Sequence, residues 1–225
     1  MKILKFASNP PNNFFAPSWE YFICQDQMND AALIEDVKQM VLNKEKWIIE
    51  TYPNDEYNDG STGLGRNTTT GKFAHYNIFD WTEEPAVRLR KFITKKHAEY
   101  LQAMGFTPIP VYGKCWVNVM RKGDKIGAHF HSCNPDSYLS GHFTVTTQNT
   151  STFYQNPYNF KDVREEPNRA GLLTFFPSYI MHWTSKFEEA GERITIAFDL
   201  YTFGNGENRG WGEFPSPKVL LTNEE

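Results

Sequence analysis

The chain has 225 residues, 40% of them hydrophobic and 16% aromatic, which is enough for a packed core and excludes disorder over most of its length. A formal net charge of −4 excludes a general nucleic-acid binder, which needs clustered Lys and Arg to neutralise phosphates. Three cysteines (Cys24, Cys115 and Cys133), odd in number and without CxxC spacing, offer no disulfide framework and suit a reducing compartment. The opening Met1-Lys2-Ile3-Leu4-Lys5 is too short in apolar residues for a signal peptide, and no apolar run approaches membrane-spanning length. A cytoplasmic protein with no nucleic-acid or membrane partner is therefore expected.

Residues 8–17, rich in Asn and Pro, read as an irregular lead-in. Helical periodicity begins at the cap Asn29-Asp30 and runs to about Glu50, with Leu33, Ile34, Val37, Met40 and Val41 as its apolar stripe. Residues 52–72, rich in Asn, Asp, Gly and Thr, form a loop long enough to cover a site. A second amphipathic helix follows Asp80-Trp81-Thr82, with Thr82 as its cap, and ends at Gly105. The basic run Arg88-Leu89-Arg90-Lys91 with Lys95-Lys96 falls on this helix, alternates with apolar residues, and reads as a solvated face.

From Ile109 onward, short β-type segments alternate with turns: 115–121, 126–131, 138–147, 150–154, 171–176, 180–185 and 192–203. Strands at this spacing predict an α+β, mainly β domain: N-terminal helices (residues 1–108) packed on a jelly-roll core (109–205), followed by a tail (206–225). None of the breaks is linker-like, so the chain reads as a single domain.

The chemistry is concentrated in Gly127-Ala128-His129-Phe130-His131. In a strand, residues i and i+2 face the same way, so both imidazoles aim inward while Phe130 aims out. Two imidazoles on one face suit a divalent metal of the Zn, Fe, Cu or Ni type, and His182, beyond Phe175-Phe176-Pro177-Ser178, is the candidate third ligand. The spacing resembles the cupin motifs. Gly123, five residues, then His129-x-His131 and Asp136 parallels the first motif; Gly171, five residues, Pro177 and then His182 parallels the second. That resemblance implies a double-stranded β-helix.

Arg193, eleven residues after His182 in Glu192-Arg193-Ile194-Thr195-Ile196-Ala197-Phe198, separates the possible chemistries. A guanidinium pairs with a carboxylate through two parallel hydrogen bonds, and Thr195 faces the same side to donate another. Trp116-Val117-Asn118-Val119, Lys122-Gly123-Asp124, His129-x-His131, Leu139-Ser140-Gly141, Gly171 through Ser178, His182 and Arg193 follow in order. This series resembles a bacterial and bacteriophage group within the 2-oxoglutarate/Fe(II)-dependent oxygenases. The resemblance implies iron(II) as metal and 2-oxoglutarate as cosubstrate, the far carboxylate of the latter held by Arg193 with Thr195. It also implies O₂ consumption that yields succinate, CO₂ and usually a hydroxylated substrate, with ascorbate as a reductant in vitro. Asn118 is a candidate contact to the cosubstrate or to a metal-bound water.

One position departs from that family. Its common triad is His-x-Asp/Glu…His, whereas His131 stands where the acid belongs. Three readings stay open: His131 is the third ligand, Asp136 swings in as the carboxylate, or the site is incomplete. A cupin-type metalloenzyme that does not use 2-oxoglutarate and a non-catalytic jelly-roll binding protein are the other functional readings. His142 is read as structural, with support of the site or substrate contact as its other role. Tyr112, Trp116, Tyr138, Tyr154 and Trp183 line either a pocket for a small molecule or peptide, or the core.

Overall fold

The computed structural model describes residues 1–7, 15, 18–54, 59–132, 138–202 and 219–222. Strands β1 (Lys2–Ala7) and β2 (Glu20–Gln27) precede helix α1 (Ala31–Thr51). Two short 3-10 turns, Thr70–His75 and Ile78–Asp80, lead into α2 (Glu84–Ala103). The strands β3 (Val111–Met120), β4 (Leu139–Thr146), β5 (Ser151–Asn156) and β6 (Asn159–Pro167) follow. After them come β7 (Leu172–Pro177), β8 (His182–Thr184), β9 (Arg193–Tyr201) and β10 (Val219–Leu221). They form a seven-stranded sheet, β1-β2-β7-β4-β9-β3-β10, and a three-stranded sheet, β6-β5-β8, antiparallel throughout.

The large sheet is two-faced, and its period-two alternation is the reason. Cys115, Val117 and Val119 on β3, Phe143 and Val145 on β4, Leu173 and Phe175 on β7, and Ile194, Ile196 and Phe198 on β9 are all buried in one apolar cluster. Leu33, Val37, Met40, Val41 and Ile48 of α1 join that cluster, as do Ala86, Leu89, Ile93 and Tyr100 of α2, so both helices cover this face. The residues between them, Asn118, Ser140, His142, Thr144, Thr174, Arg193 and Thr195, are buried too, but on the opposite face. Tyr154 of β5 and Phe176 of β7 meet there with ring centroids 5.4 Å apart, which closes the small sheet over the large one.

α1 starts where expected: the Asp30 side chain accepts from Leu33 N–H at 3.0 Å and satisfies one free donor of the first turn. The cap of α2 differs. Glu83, not Thr82, precedes the helix and makes no side-chain cap bond; Pro85 opens the helix, where its missing N–H costs nothing. Segment 126–131 is not a strand. Ile126 N–H donates to Thr184 Oγ1 and Thr184 N–H to Ile126 O, while His129 and His182 exchange backbone bonds. Three residue steps on one side thus oppose two on the other, and the extra residue breaks the ladder as a bulge does. β8 is correspondingly shorter than the expected 180–185.

The sheet also reaches beyond 109–205. β1 and β2 lie within the stretch read as helical support, and β10 lies within the tail, pairing with β3 from Val219 to Leu221. β6 is an exposed edge strand of mixed polar sequence without alternation, so periodicity carries no signal for it. Of residues 8–17, expected to be irregular, Phe15 alone lies within the described residues.

Gly141 marks the tightest approach within the helix-facing layer. A Cβ added there would lie 2.6 Å from both Phe198 Cε2 and the Thr174 carbonyl oxygen. Gly141→Ala should therefore destabilise the fold by about 1–3 kcal/mol, the usual cost of overpacking, read as a lower urea midpoint at unchanged slope.

Candidate metal centre

Three imidazoles converge where the two sheets meet. The ligand atoms of His129, His131 and His182 lie within 4.8 Å of one another, a spacing that could hold a single metal ion. The backbone fixes two of them directly: His129 N–H donates to His182 O at 3.0 Å and His182 N–H to His129 O at 2.9 Å. His131 is placed by its own N–H, which donates to Ser178 O at 3.0 Å. The same-face expectation for His129 and His131 thus holds without a regular strand, and Phe130 between them is exposed.

Each ring is held at the nitrogen that points away from its neighbours. His129 Nδ1 lies 2.9 Å from Gly127 O, His182 Nδ1 lies 3.0 Å from Ile180 O, and His131 Nδ1 lies 2.5 Å from Asp199 Oδ1. Donation from Nδ1 to these oxygens leaves every Nε2 as a lone pair aimed at the shared centre. Burial, with the charge of His131 second, pushes the pKa of His129 down to about 4; burial and both neighbouring histidines push His182 well below the ordinary value. Both rings are neutral at pH 7, the state a metal ligand requires.

Behind the triad, buried polar side chains cover the inner face of the large sheet. Thr144 and Thr195 are directly opposed across β4 and β9, and neither buried hydroxyl has a hydrogen-bond partner. His142 gives Nε2 to the Tyr154 hydroxyl at 2.7 Å, while its buried Nδ1 has no partner. Tyr154 in turn stacks beside His182, with ring centroids 6.2 Å apart. Arg193 is 1% exposed, and its guanidinium reaches Thr150 Oγ1 at 3.1 Å and Met120 Sδ at 3.7 Å. Among the described residues no acidic side chain pairs with it, and burial lowers its pKa to about 10, which leaves it cationic at neutral pH. His142 bridges the two regions, because the charges of both Arg193 and His131 act on it.

An unpaired buried hydroxyl or imidazole costs about 1–3 kcal/mol, and an unpaired buried cation more. Such groups gathered on one face of the sheet fit an anionic, oxygen-rich guest. Asn118 borders it but is already engaged, its Oδ1 accepting from Thr70 Oγ1 at 2.7 Å. Of the five aromatics considered, Trp116 (5.5 Å from His131) and Tyr154 reach the site. Tyr138 bonds His97 instead, and Trp183 stacks on Phe153. Of segment 52–72, the part from Asp59 on is anchored beside the centre: Thr62 O accepts from Gly127 N–H at 2.6 Å and Thr69 Oγ1 donates to Val117 O at 2.7 Å. Asp136 lies outside the described residues. Asp199 was not singled out from the sequence, although an acid in register with Arg193, Thr195 and Ala197 is the pattern that marks it.

The family model described as "Putative 2OG-Fe(II) oxygenase" matches residues 143–199, which carry β4 through β9 with His182, Arg193 and Asp199. Over that stretch, about a quarter of its length, the chain is similar to the 2-oxoglutarate/Fe(II)-dependent oxygenases. Solved structures share its double-stranded β-helix. A Pseudomonas putida prolyl-4-hydroxylase superposes with a TM-score of 0.57 at 12% identity, over 81% of this chain and 93% of that one. A Trichoplax adhaerens prolyl hydroxylase, in complex with a hypoxia inducible factor peptide fragment, gives 0.53 at 14% identity over 80% and 83%. The alpha-ketoglutarate dependent epimerase SnoN from nogalamycin biosynthesis gives 0.55 at 11% identity over 80% and 77%. No curated protein matches the chain.

The family that the matched model describes is named for Fe(II) and 2-oxoglutarate, and the residues present fit both. The triad offers three nitrogen donors, and the inner face of the sheet offers a buried guanidinium and unpaired donors for a dicarboxylate. No helix among the described residues is long and apolar enough to cross a membrane.

Buried neutral histidines make the metal-free protein acid-sensitive. His129 and His97 are held near 4 and His142 near 3 by burial, against an ordinary value of 6.5. The unfolded chain takes up these protons first, so their stabilisation is complete above about pH 6.5 and is lost as pH falls towards 4 and below. The Tm of metal-free protein should be flat between about pH 8 and 7 and fall by several degrees by about pH 5. A Tm independent of pH over that range would contradict the burial of these rings.

Proposed function

We propose that the chain is a hydroxylase-type dioxygenase that converts 2-oxoglutarate and O₂ to succinate and CO₂ while inserting the second oxygen atom into a substrate C–H bond. The observation that carries this reading is the pairing of two features on the inner face of the fold: the triad of His129, His131 and His182, and the buried Arg193 guanidinium, without a carboxylate partner among the described residues, beside unpaired hydroxyls. Iron(II) held by the triad supplies the redox chemistry.

The protein's own work is positional. His129, His131 and His182 present three Nε2 lone pairs, each ring oriented by its Nδ1 contact. Arg193 pairs with the far carboxylate of 2-oxoglutarate and Thr195 donates a further hydrogen bond, which together set how deep the cosubstrate lies. Tyr154, His142 and Trp116 pack around the centre and keep bulk water from it. Asn118, already held by Thr70, lines the same face as Thr195 and orients rather than reacts. No side chain acts as a general base. The substrate is a small molecule or a peptide. A cytoplasmic setting is supported by the free buried thiols of Cys24 and Cys115.

Calorimetric titration of 2-oxoglutarate into anaerobic, Fe(II)-loaded protein should show one site per chain. With ascorbate and O₂, succinate should then form. Arg193→Ala should weaken 2-oxoglutarate binding by about 10- to 100-fold, the worth of a charge-assisted pair. His129→Ala and His182→Ala should each abolish retained metal. Loaded wild type that binds no 2-oxoglutarate would overturn the reading.

A further inference from the structure

Three neutral imidazoles leave a bound dication with its full positive charge, whereas the superfamily's common triad places a carboxylate on it. The structure holds a carboxylate one ring away. Asp199 lies on β9, inward-facing like Arg193 and Thr195, and its Oδ1 is 2.5 Å from His131 Nδ1. The two other ligand rings lean on backbone carbonyls, which are neutral. His131 alone leans on a charge.

Asp199 is itself held for this role. Its side chain is 15% exposed, and the hydroxyl of Ser140, its cross-strand partner on β4, donates to the same Oδ1 at 2.5 Å. Lys114 is opposite Asp199 on β3 and the two charges attract, but its Nζ donates to the Tyr76 carbonyl at 2.7 Å and not to the carboxylate. Arg193 is six residues along the same strand, about 20 Å away at strand rise, and cannot compensate it. The carboxylate's partners are thus two hydroxyls, Ser140 on Oδ1 and Tyr201 at 3.4 Å from Oδ2, and the imidazole itself, an arrangement that orients the ring for whatever it binds.

We propose that Asp199 is a positioning residue that works through His131: it fixes the Nδ1–H tautomer and supplies, one imidazole removed from the metal, the negative charge that an acidic ligand would otherwise bring. This rests on the reading of His129, His131 and His182 as the metal ligands. It makes His131 the strongest donor of the three and accounts for a histidine in the acid's place: the charge has moved outward by one ring and remains in the site.

The test is metal affinity of the full chain, read by competition of Zn(II) and Co(II) against a chromophoric chelator, for wild type, Asp199→Asn, Asp199→Ala and His131→Ala. Asn keeps shape and a hydrogen-bond acceptor but removes the charge. Asp199→Asn should bind each metal about 10- to 100-fold more weakly, with its metal-free Tm unchanged and the visible bands of the Co(II) form shifted. Asp199→Ala should lose at least as much. Equal affinity of Asp199→Asn and wild type would overturn the proposal. Should either variant fail to fold, the zinc-loaded wild type decides by NMR. The Nδ1–H proton of His131 should resonate clearly downfield of those of His129 and His182, and a position level with them would overturn the proposal. A wild type that binds no metal, or a His131→Ala variant that binds as tightly, would instead remove the three-histidine reading itself.

Discussion

Everything in this fold depends on the period-two alternation of the large sheet. β3, β4, β7 and β9 present apolar side chains to α1 and α2 on one face, and that layer supplies the hydrophobic stabilisation of the domain. The other face is thereby released from the need to be apolar. It carries Asn118, His142, Thr144, Thr174, Arg193, Thr195 and Asp199, and the small sheet closes over them. A site rich in buried polar groups is tolerable because the helix-facing layer stabilises the same strands that bear its cost. Gly141 shows how close that layer is: between Phe175 and Phe198 there is room for no side chain at all.

The metal centre uses the other structural device, the junction where the small sheet meets residues 126–131. The mismatch of three steps against two between Ile126–His129 and His182–Thr184 prevents a regular ladder. The same irregularity frees the Nδ1 atoms of His129 and His182 to bond carbonyls two residues away, at Gly127 and Ile180. Ligand rings oriented by backbone carbonyls are pre-set before any metal arrives, so little ordering entropy is left to oppose binding.

Much of this was legible in the sequence, for physical reasons that differ by residue. His129, His131, His182 and Arg193 could be placed because imidazoles two apart and a lone arginine on an apolar strand are costly unless they serve a site. The two helices were legible through their stripes, down to the Asp30 cap. What was not legible follows from the same rules. β6 is solvated on both faces and has no alternation to read, while β1, β2 and β10 lie far in sequence from the core strands they extend. Thr82 lost the cap to Glu83 because Pro85 determines where the helix can begin. Asp199 was hidden because its importance is a contact across 68 residues with His131, which no local pattern encodes.

The central claim is that three histidines bind the metal and that the carboxylate charge is one ring removed. Crystals soaked anaerobically with Mn(II) and an unreactive 2-oxoglutarate analogue would show it directly by anomalous scattering. The account predicts one metal peak bonded to the Nε2 atoms of His129, His131 and His182, at distances of about 2.0–2.3 Å. Asp199 should remain bonded to His131 Nδ1, and the analogue's far carboxylate should lie on Arg193. A peak bonded to a carboxylate of Asp136 or Asp199, with His131 turned away, would contradict it.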